Sequence, residues 1–346
     1  MKICNIIGAR PQFIKVATIS RVIKNRSNIK EIIIHTGQHY DNNMSDIFFS
    51  ELDIPSPDYN LNIGSGLHGW QTGKMLEAIE KVLLNEKPDV VIVYGDTNST
   101  IAGALAATKL HIPVAHVEAG LRSFNRSMPE EINRIATDKI SDLLFVPTQM
   151  AMDHLKNEGL ANYSFFCGDV MYDSVLHFSK KINTFTEEPY YLATIHRPAN
   201  TDVIGKFSSI IKAFSKFDKK VVLPAHPRLK KVLDQIKVPD NIKIIEPVGY
   251  TKMLSLIKNA DLVFTDSGGL QKECYFLKKR CVTLREETEW VETLENNCNI
   301  LVGADYDKIV AAEKLKCGEF DIKTKYGLGN AAEKIIEKIS EYLIQC

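Results

Sequence analysis

The chain carries no excess charge of either sign: 43 basic residues meet 43 acidic ones, for a formal net charge of zero. Proteins that coat nucleic acid usually carry a basic excess or stripe, so this balance argues against such a partner. No apolar run approaches the roughly 18 to 20 residues of a membrane helix, which excludes a helical membrane span. The opening Met1-Lys2-Ile3-Cys4-Asn5-Ile6-Ile7-Gly8 is too short for a secretory signal and reads as a first strand. There is no Cys-x-x-Cys pair, and the seven cysteines are odd in number, as expected of reduced thiols in a reducing compartment. Repeats with a period of roughly 20 to 50 residues are missing, as are low-complexity tracts. These absences lead to the expectation of a cytoplasmic protein. What the chain does have is apolar residues, 45% of its 346. With zero net charge, that fraction excludes disorder, and the length suggests about two domains with cores of their own.

Short apolar runs alternate with longer amphipathic stretches from end to end. The runs are Lys2–Ile7, Glu31–His35, Val90–Tyr94, Val114–Val117, Leu143–Val146, Tyr191–Ile195, Val221–Pro224, Ile242–Ile245, Leu262–Phe264 and Ile300–Val302. They are rich in Val and Ile and apolar throughout rather than alternating, as strands buried on both faces should be. Helical patterns such as Gln71–Leu84 and Asp305–Lys316 lie between them, so the sheets should be parallel with right-handed crossovers. Ten strands exceed one comfortable open sheet. A break near Gly168–Pro189 divides the chain into an α/β fold of two Rossmann-like domains, expected to face each other across a cleft. The first would span 1–170, joined by a terminal helix within 329–346, and the second 171–328.

Ligands of open parallel sheets bind beyond the carboxyl ends of the strands, so the residues that follow each run matter most. They are Gly8-Ala9-Arg10-Pro11-Gln12, Gly95-Asp96-Thr97-Asn98-Ser99, Glu118-Ala119-Gly120, His196-Arg197, His226-Pro227-Arg228 and Thr265-Asp266-Ser267-Gly268-Gly269. Helix capping and tight turns explain any one of them. Six in register point to binding as well. In Thr265–Glu273, two glycines let the backbone approach a ligand where a helix starts, which suits a phosphate, and Glu273 one turn on could reach ribose hydroxyls. In Met128–Ile135, Pro129 and the acids that follow are ordinary helix-start chemistry. Glu130 and Arg134 nevertheless share one face, with Ile132, Ile135 and Ala136 on another, so the polar face should be available to a ligand; a plain surface pair is the alternative.

Gly64-Ser65-Gly66-Leu67-His68-Gly69 fits a dinucleotide-binding fingerprint literally, but the polar, Pro-broken segment before it is not the required strand. A mobile cleft loop fits better. Met75 breaks a P-loop reading of Gly69–Met75. His35 and His39 lack a third ligand, so neither a metal nor another cofactor is expected. Cys274 and Cys281 read as core residues.

Taken together, these segments resemble the non-hydrolysing UDP-N-acetylglucosamine 2-epimerases, over essentially the whole chain. The resemblance rests on Gly8–Lys15, Tyr94–Thr97, His116–Arg122, Pro129–Arg134, His196-Arg197 and Thr265–Glu273. It implies the glycosyltransferase-B type of two-domain fold and a homodimer. It also implies catalytic roles for Asp96, Glu118, Glu130 and His196. Arg10, Lys15, Ser267, Gly269 and Glu273 would hold the diphosphate and ribose, with Arg134, His226, Met253, Asp266 and Gly268 also on the substrate side. Where the acetylglucosamine enzymes read Thr-Glu-Arg-Pro-Glu, this chain has Thr288-Glu289-Trp290-Val291-Glu292; where they read His-Arg-Arg-Glu-Asn, it has His196-Arg197-Pro198-Ala199-Asn200. Met253 stands at the uracil-side aromatic position. These departures are closer to the subgroup acting on UDP-2,3-diacetamido-2,3-dideoxyglucuronate, with UDP-N-acetylglucosamine as the other candidate. A glycosyltransferase on the same fold, a non-catalytic nucleotide-sugar sensor and a hydrolysing epimerase are the competing readings.

Overall fold

Strands that are apolar on both sides need cover on both faces, and here two parallel sheets receive it from the helices between their strands. A computed structural model describes residues 1–38, 49–182, 188–225, 229, 232–233 and 235–345. The chain divides into two compact units, one of residues 1–174 with 323–346 and one of residues 175–322.

The first unit contains β1 (Lys2–Ile7), α1 (Arg10–Lys24), β2 (Lys30–His35), β3 (Tyr59–Asn60), α2 (His68–Glu86), β4 (Val90–Tyr94), α3 (Asn98–Lys109) and β5 (Val114–Val117). It continues through α4 (Pro129–Ile140), β6 (Leu143–Val146), α5 (Gln149–Asn157) and β7 (Ser164–Phe166). Its sheet runs β3-β2-β1-β4-β5-β6-β7, every neighbour parallel. The division between units falls within α6 (Val170–Ser179). The second unit has β8 (Tyr190–Thr194), α7 (Pro198–Thr201), α8 (Ile204–Phe214), β9 (Lys220–Pro224), β10 (Ile242–Ile245) and α9 (Tyr250–Asn259). Then follow β11 (Leu262–Thr265), α10 (Gly268–Phe276), β12 (Cys281–Thr283), β13 (Asn299–Leu301) and α11 (Tyr306–Lys314). Its sheet runs β10-β9-β8-β11-β12-β13, again all parallel. The chain closes with α12 (Ile322–Tyr326) and α13 (Ala331–Gln345).

Each sheet starts in its middle, grows to one side and then to the other, which is the Rossmann order. Both therefore have a point where the winding reverses: between β1 and β4 in the first unit, between β8 and β11 in the second. The middle strands β4, β5, β6, β8 and β11 are buried along their whole length. Three further strands emerged beyond the ten read from sequence: β3, β7 and β12. The first two lie at the sheet edge and are partly exposed, and all three have only two or three residues, so no apolar run marks them. Gly64–Leu67 is loop between β3 and the start of α2, which begins three residues before the expected Gln71.

Cys274 and Cys281 are buried, as are Cys4, Cys167 and Cys298. No helix among the described residues is long and apolar enough to cross a membrane.

The last helix completes the first unit. Ile335, Ile336 and Ile339 of α13 are fully buried, α13 packs on α1, and Asp173 of α6 accepts a hydrogen bond from the Ala332 N–H at 2.9 Å. Burial pushes the Asp173 carboxyl up to about 6, although backbone N–H groups of Ala332 and Ala331 pull the other way. The folded protein thus holds this proton more tightly than the unfolded chain, whose aspartate sits near 3.8. Stability present below that value is lost as pH rises toward 6, and is flat beyond. Asp173→Asn, which can still accept the Ala332 N–H, should remove that loss, on the order of 2 kcal/mol. Urea midpoints of both proteins between pH 4 and 7 test this; parallel curves would refute it.

Candidate functional site

The reversal point of a doubly wound sheet opens a crevice at the strand ends, where ligands of such folds bind. In the first unit the loops beyond β1 and β4 meet there, and one buried side chain laces them together. Gln12 accepts from the N–H groups of Gly8 and Ala9 at 2.7 and 3.0 Å. It donates to the Tyr94 carbonyl and the Thr97 hydroxyl at 2.9 and 3.0 Å. Gly8 has no alternative at its position, since a Cβ would lie 2.1 Å from the Thr36 hydroxyl and 2.2 Å from that of Ser99.

On this base sits a cluster of charges. Lys15 of α1 and Glu118, beyond β5, form an ion pair at 2.5 Å with both side chains buried. Glu118 holds a left-handed backbone conformation, φ +73°, which is strained for a residue with a side chain and is characteristic of functional positions. Gly95 lies directly beneath the pair: a Cβ there would meet Lys15 Nζ at 3.1 Å and Glu118 Oε1 at 3.5 Å. The next residue, Asp96, is held by Arg134 of α4 at 2.5 Å, and its backbone carbonyl accepts from Asn133 at 3.0 Å. Water reaches 29% of the Asp96 side chain, but its surroundings are protein on most sides. Burial accordingly pushes the Asp96 carboxyl above its ordinary range. Arg134 and Lys15 oppose that shift, and the charges of Glu118 and Glu130 reinforce it. Asp96 therefore feels the charges of both Glu118 and Glu130 as well as those of two cations. Arg10, at the first position of α1, is exposed.

The α4 reading from sequence needs correction. Arg134 pairs with Asp96 and, at 3.3 Å, with Glu131, while Glu130 is exposed. The helix turns its polar side inward: Glu131, Arg134, Thr137 and Asp138 are buried, and Ile132 is exposed. The usual rule that the apolar stripe faces the core fails here because the interior is itself a charge network.

That network contains buried polar residues to which sequence reasoning gave no role. His116, inside β5, points Nδ1 at Asp138 Oδ1 and Nε2 at the Gly95 carbonyl, each at 2.7 Å. Asp138 also accepts from Arg122 at 2.7 Å and from the Gly120 N–H at 3.2 Å, and Arg122 grips Glu158 through two hydrogen bonds of 2.7 and 2.9 Å. Burial works against the Asp138 charge, yet His116 and Arg122 outweigh it and hold the carboxyl below its usual range. Glu131 accepts from the N–H groups of Ser123 and Phe124, both at 2.9 Å. The signals available were a histidine in the middle of an apolar strand and acids spaced at 131 and 138 around Arg134, on one helical face.

In the second unit the loops beyond β8 and β11 are laced by Asp266. It is fully buried and accepts from the N–H groups of His196 and Arg197 at 3.1 and 3.0 Å, from Asn200 at 3.1 Å, and lies 3.1 Å from the His196 ring. Burial would raise its carboxyl, but these partners, His196 foremost, hold it below the usual range. The sequence reading put Asp266 among the ligand contacts; its oxygens are instead spent on the His196–Asn200 turn. His196 itself keeps half of its side chain exposed. Ser267 caps α10 by accepting from the Leu270 N–H, and Gly268 and Gly269 begin the helix, partly open. Glu273 and Met253 are buried, on α10 and α9. His226, expected on the substrate side, and His39 lie outside the described residues. His35 Nδ1 is taken up within its own loop by the Gly37 N–H at 3.2 Å.

Two parallel-sheet units with polar side chains gathered at their reversal points define an α/β protein of the doubly wound class. Residues 21–340 match the sequence profile of the UDP-N-acetylglucosamine 2-epimerases, and the chain belongs to that family of nucleotide-sugar isomerases. It is 54% identical to a UDP-N-acetylglucosamine 2-epimerase homolog of Methanococcus maripaludis, over 97% of this chain and 99% of the relative. It is 50% identical to the UDP-2,3-diacetamido-2,3-dideoxy-D-glucuronate 2-epimerase of Pseudomonas aeruginosa, over 99% and 100%. The crystal structure of Methanocaldococcus jannaschii UDP-GlcNAc 2-epimerase in complex with UDP-GlcNAc and UDP superposes with a TM-score of 0.89. That comparison has 46% identity and covers 99% of this chain and all of the other. A calicheamicin glycosyltransferase, at 13% identity and a TM-score of 0.55, shares the fold alone.

Proposed function

We propose that this epimerase inverts C2 of a UDP-2-acetamido sugar by eliminating UDP and adding it back, and that its substrate is UDP-2,3-diacetamido-2,3-dideoxyglucuronate. The C2 hydrogen lies beside an acetal carbon rather than a carbonyl, so simple deprotonation has no stabilised anion to form. In the elimination a base takes the C2 proton, the C–H pair becomes the C1=C2 bond of a 2-acetamidoglucal, and the C1–O pair leaves with UDP. As the UDP oxygen bonds again to C1, the C1=C2 pair takes up a proton at C2 from an acid on the opposite face.

The observation that carries this reading is the gathering of Asp96, Glu118 and Glu130 near Lys15 and Arg134, with Asp96 under the charge of all four. Two-sided proton transfer needs more than one carboxyl group, held so that their ionisations differ, and positioned groups of this kind contribute roughly 10² to 10⁴-fold each. Burial raises Asp96, which favours it as a group that both takes and returns a proton. Lys15 pairs with Glu118 and stands ready to meet the charge of the diphosphate. Arg10, His196 and the Ser267-Gly268-Gly269 start of α10 take the departing diphosphate, where stabilising the developing charge is usually the largest catalytic contribution. Glu273 takes ribose, Met253 lies toward the base, and Asp266 acts by setting His196 and Arg197. No metal is needed, because these cations and N–H groups meet the charge.

The choice of substrate is supported by the Pseudomonas relative, similar over its whole length, and by Trp290 and Pro198-Ala199-Asn200, where the acetylglucosamine pattern differs. UDP-N-acetylglucosamine is the second reading, supported by the methanogen structure. We place the enzyme in the cytoplasm as a homodimer that supplies a sugar for surface polysaccharide such as O-antigen. Proton NMR in heavy water with each UDP-sugar tests the assignment: deuterium should enter C2 without any acceptor, faster with the diacetamido uronate. Faster exchange with UDP-N-acetylglucosamine would reverse the substrate order. Exchange with neither would sink the epimerase reading, accumulating UDP would signal hydrolysis, and a requirement for an acceptor would signal a transferase.

A further inference from the structure

Both backbone polar groups of Gly95 are taken by neighbouring residues of β5. Its N–H donates to the Val117 carbonyl at 3.0 Å, and its carbonyl oxygen lies 2.7 Å from Nε2 of His116. A peptide unit is a rigid plane that includes the next Cα. Whatever grips the Gly95 carbonyl therefore fixes the direction in which Asp96 departs, at the corner where β4 ends. That corner needs a grip. Gly95 stands at φ +64°, a left-handed conformation that glycine leaves as readily as it enters. Asp96 beyond it is partly open to water.

The same contacts fix how many hydrogens the His116 ring carries. The ring is fully buried, and its Nδ1 lies 2.7 Å from Asp138 Oδ1. A neutral imidazole has one N–H, so it can donate to only one of two acceptors. The Gly95 carbonyl has no hydrogen to offer, so Nε2 must carry one. At Nδ1 the hydrogen belongs either to the ring or to Asp138. Arg122 and the Gly120 N–H also donate to Asp138, at 2.7 and 3.2 Å, and a carboxyl that receives three donors favours its ionised form. Burial opposes that charge, but His116 and Arg122 hold the carboxyl below its usual range, so the hydrogen stays on the ring. The resulting cation is matched: His116 and Arg122 face Asp138 and Glu158, with Lys139 reaching Glu158 at the rim. We propose that His116 is an imidazolium and the positioning residue of this site, braced by Asp138 and clamping the Gly95 carbonyl so that Asp96 keeps its aim. It touches no reacting atom; its part is geometry. The inference rests on the reading of Asp96 as a proton-transfer group and goes beyond it in naming what aims that group.

His116→Gln leaves one amide, which can donate to the Gly95 carbonyl only by setting its oxygen against Asp138. In this variant kcat for C2 exchange should fall about 10²-fold, the effect of a small displacement of a reacting group. KM and UDP affinity should stay within a few fold. Adding Asp138→Asn turns the clash into a hydrogen bond and should restore most of the lost kcat. A folded His116→Gln with unaltered kcat overturns the clamp, and so does one whose UDP affinity falls as far as its turnover. A folded double variant as slow as the single one does the same. The charge is read separately, on the wild type, by proton–nitrogen correlation of its nine histidine rings at the assay pH. The ring signals that the single variant lacks should show a hydrogen on both nitrogens; one bare, imine-type nitrogen overturns the imidazolium. Wild-type protein with that doubly protonated ring but no C2 exchange on any UDP-sugar would refute the functional assignment and leave the charge of His116 standing.

Discussion

Asp96→Asn should lower C2 hydrogen exchange by about 10²- to 10⁴-fold while UDP affinity stays within a few fold. The amide has the size of the carboxylate, and its oxygen can still accept from Arg134, so the pair that holds residue 96 at 2.5 Å survives in neutral form. What disappears is a base whose carboxyl burial has raised above the ordinary aspartate range. The same direction predicts that the acid limb of kcat/KM in the wild type lies above that range: activity falls as pH falls and Asp96 takes up its proton. The measurement is deuterium incorporation paired with UDP titration. A variant that loses UDP binding along with turnover would make Asp96 a structural residue, and one that keeps turnover would move the base elsewhere.

The second large effect belongs to Asp138→Ala. Asp138 is fully buried between His116 and Arg122, and removing it leaves two polar partners facing a void. Breaking such a buried pair from one side typically costs about 3 to 5 kcal/mol, and urea unfolding should show a loss of that size. Activity should fall too, because His116 would no longer be held where its Nε2 meets the Gly95 carbonyl, one residue before Asp96. Asp138→Asn, which retains one acceptor, should lose less of both. A loss of stability below about 1 kcal/mol in the alanine variant would mean that the network behaves like a surface contact.

The two kinds of residue differ in how readily the sequence reveals them. Val90–Tyr94 and Leu143–Val146 were legible because a strand covered on both faces must be apolar throughout, and such a run states its own ends. The loops after those strands were legible for the same reason: once a strand ends, the next polar residues stand at the carboxyl edge of the sheet. Asp96, Glu118 and His196 were singled out as candidates in that way, each just beyond the end of its strand. Asp138 and Glu131 were not, because a residue's burial and its partner depend on what packs against it from elsewhere in the chain. On α4 the apolar residues suggested which side faced inward, and the tertiary structure chose the other side. Asp266 shows a related limit. Its position at the end of β11 was plain, but nothing local told that its oxygens would be consumed by a turn some 70 residues earlier.

The helix that finishes the first unit is made only after the whole of the second unit. Until α13 leaves the ribosome, α1 lacks the face on which Ile335, Ile336 and Ile339 settle, and Asp173 has no Ala332 N–H to receive. The second unit, by contrast, is wholly synthesised by Ile322. During translation the order of completion therefore runs against the order of synthesis: the half whose carboxylates begin the chain waits, open along one side, for its closing helix. Nascent chains stalled just short of that helix should be the ones that chaperones hold longest.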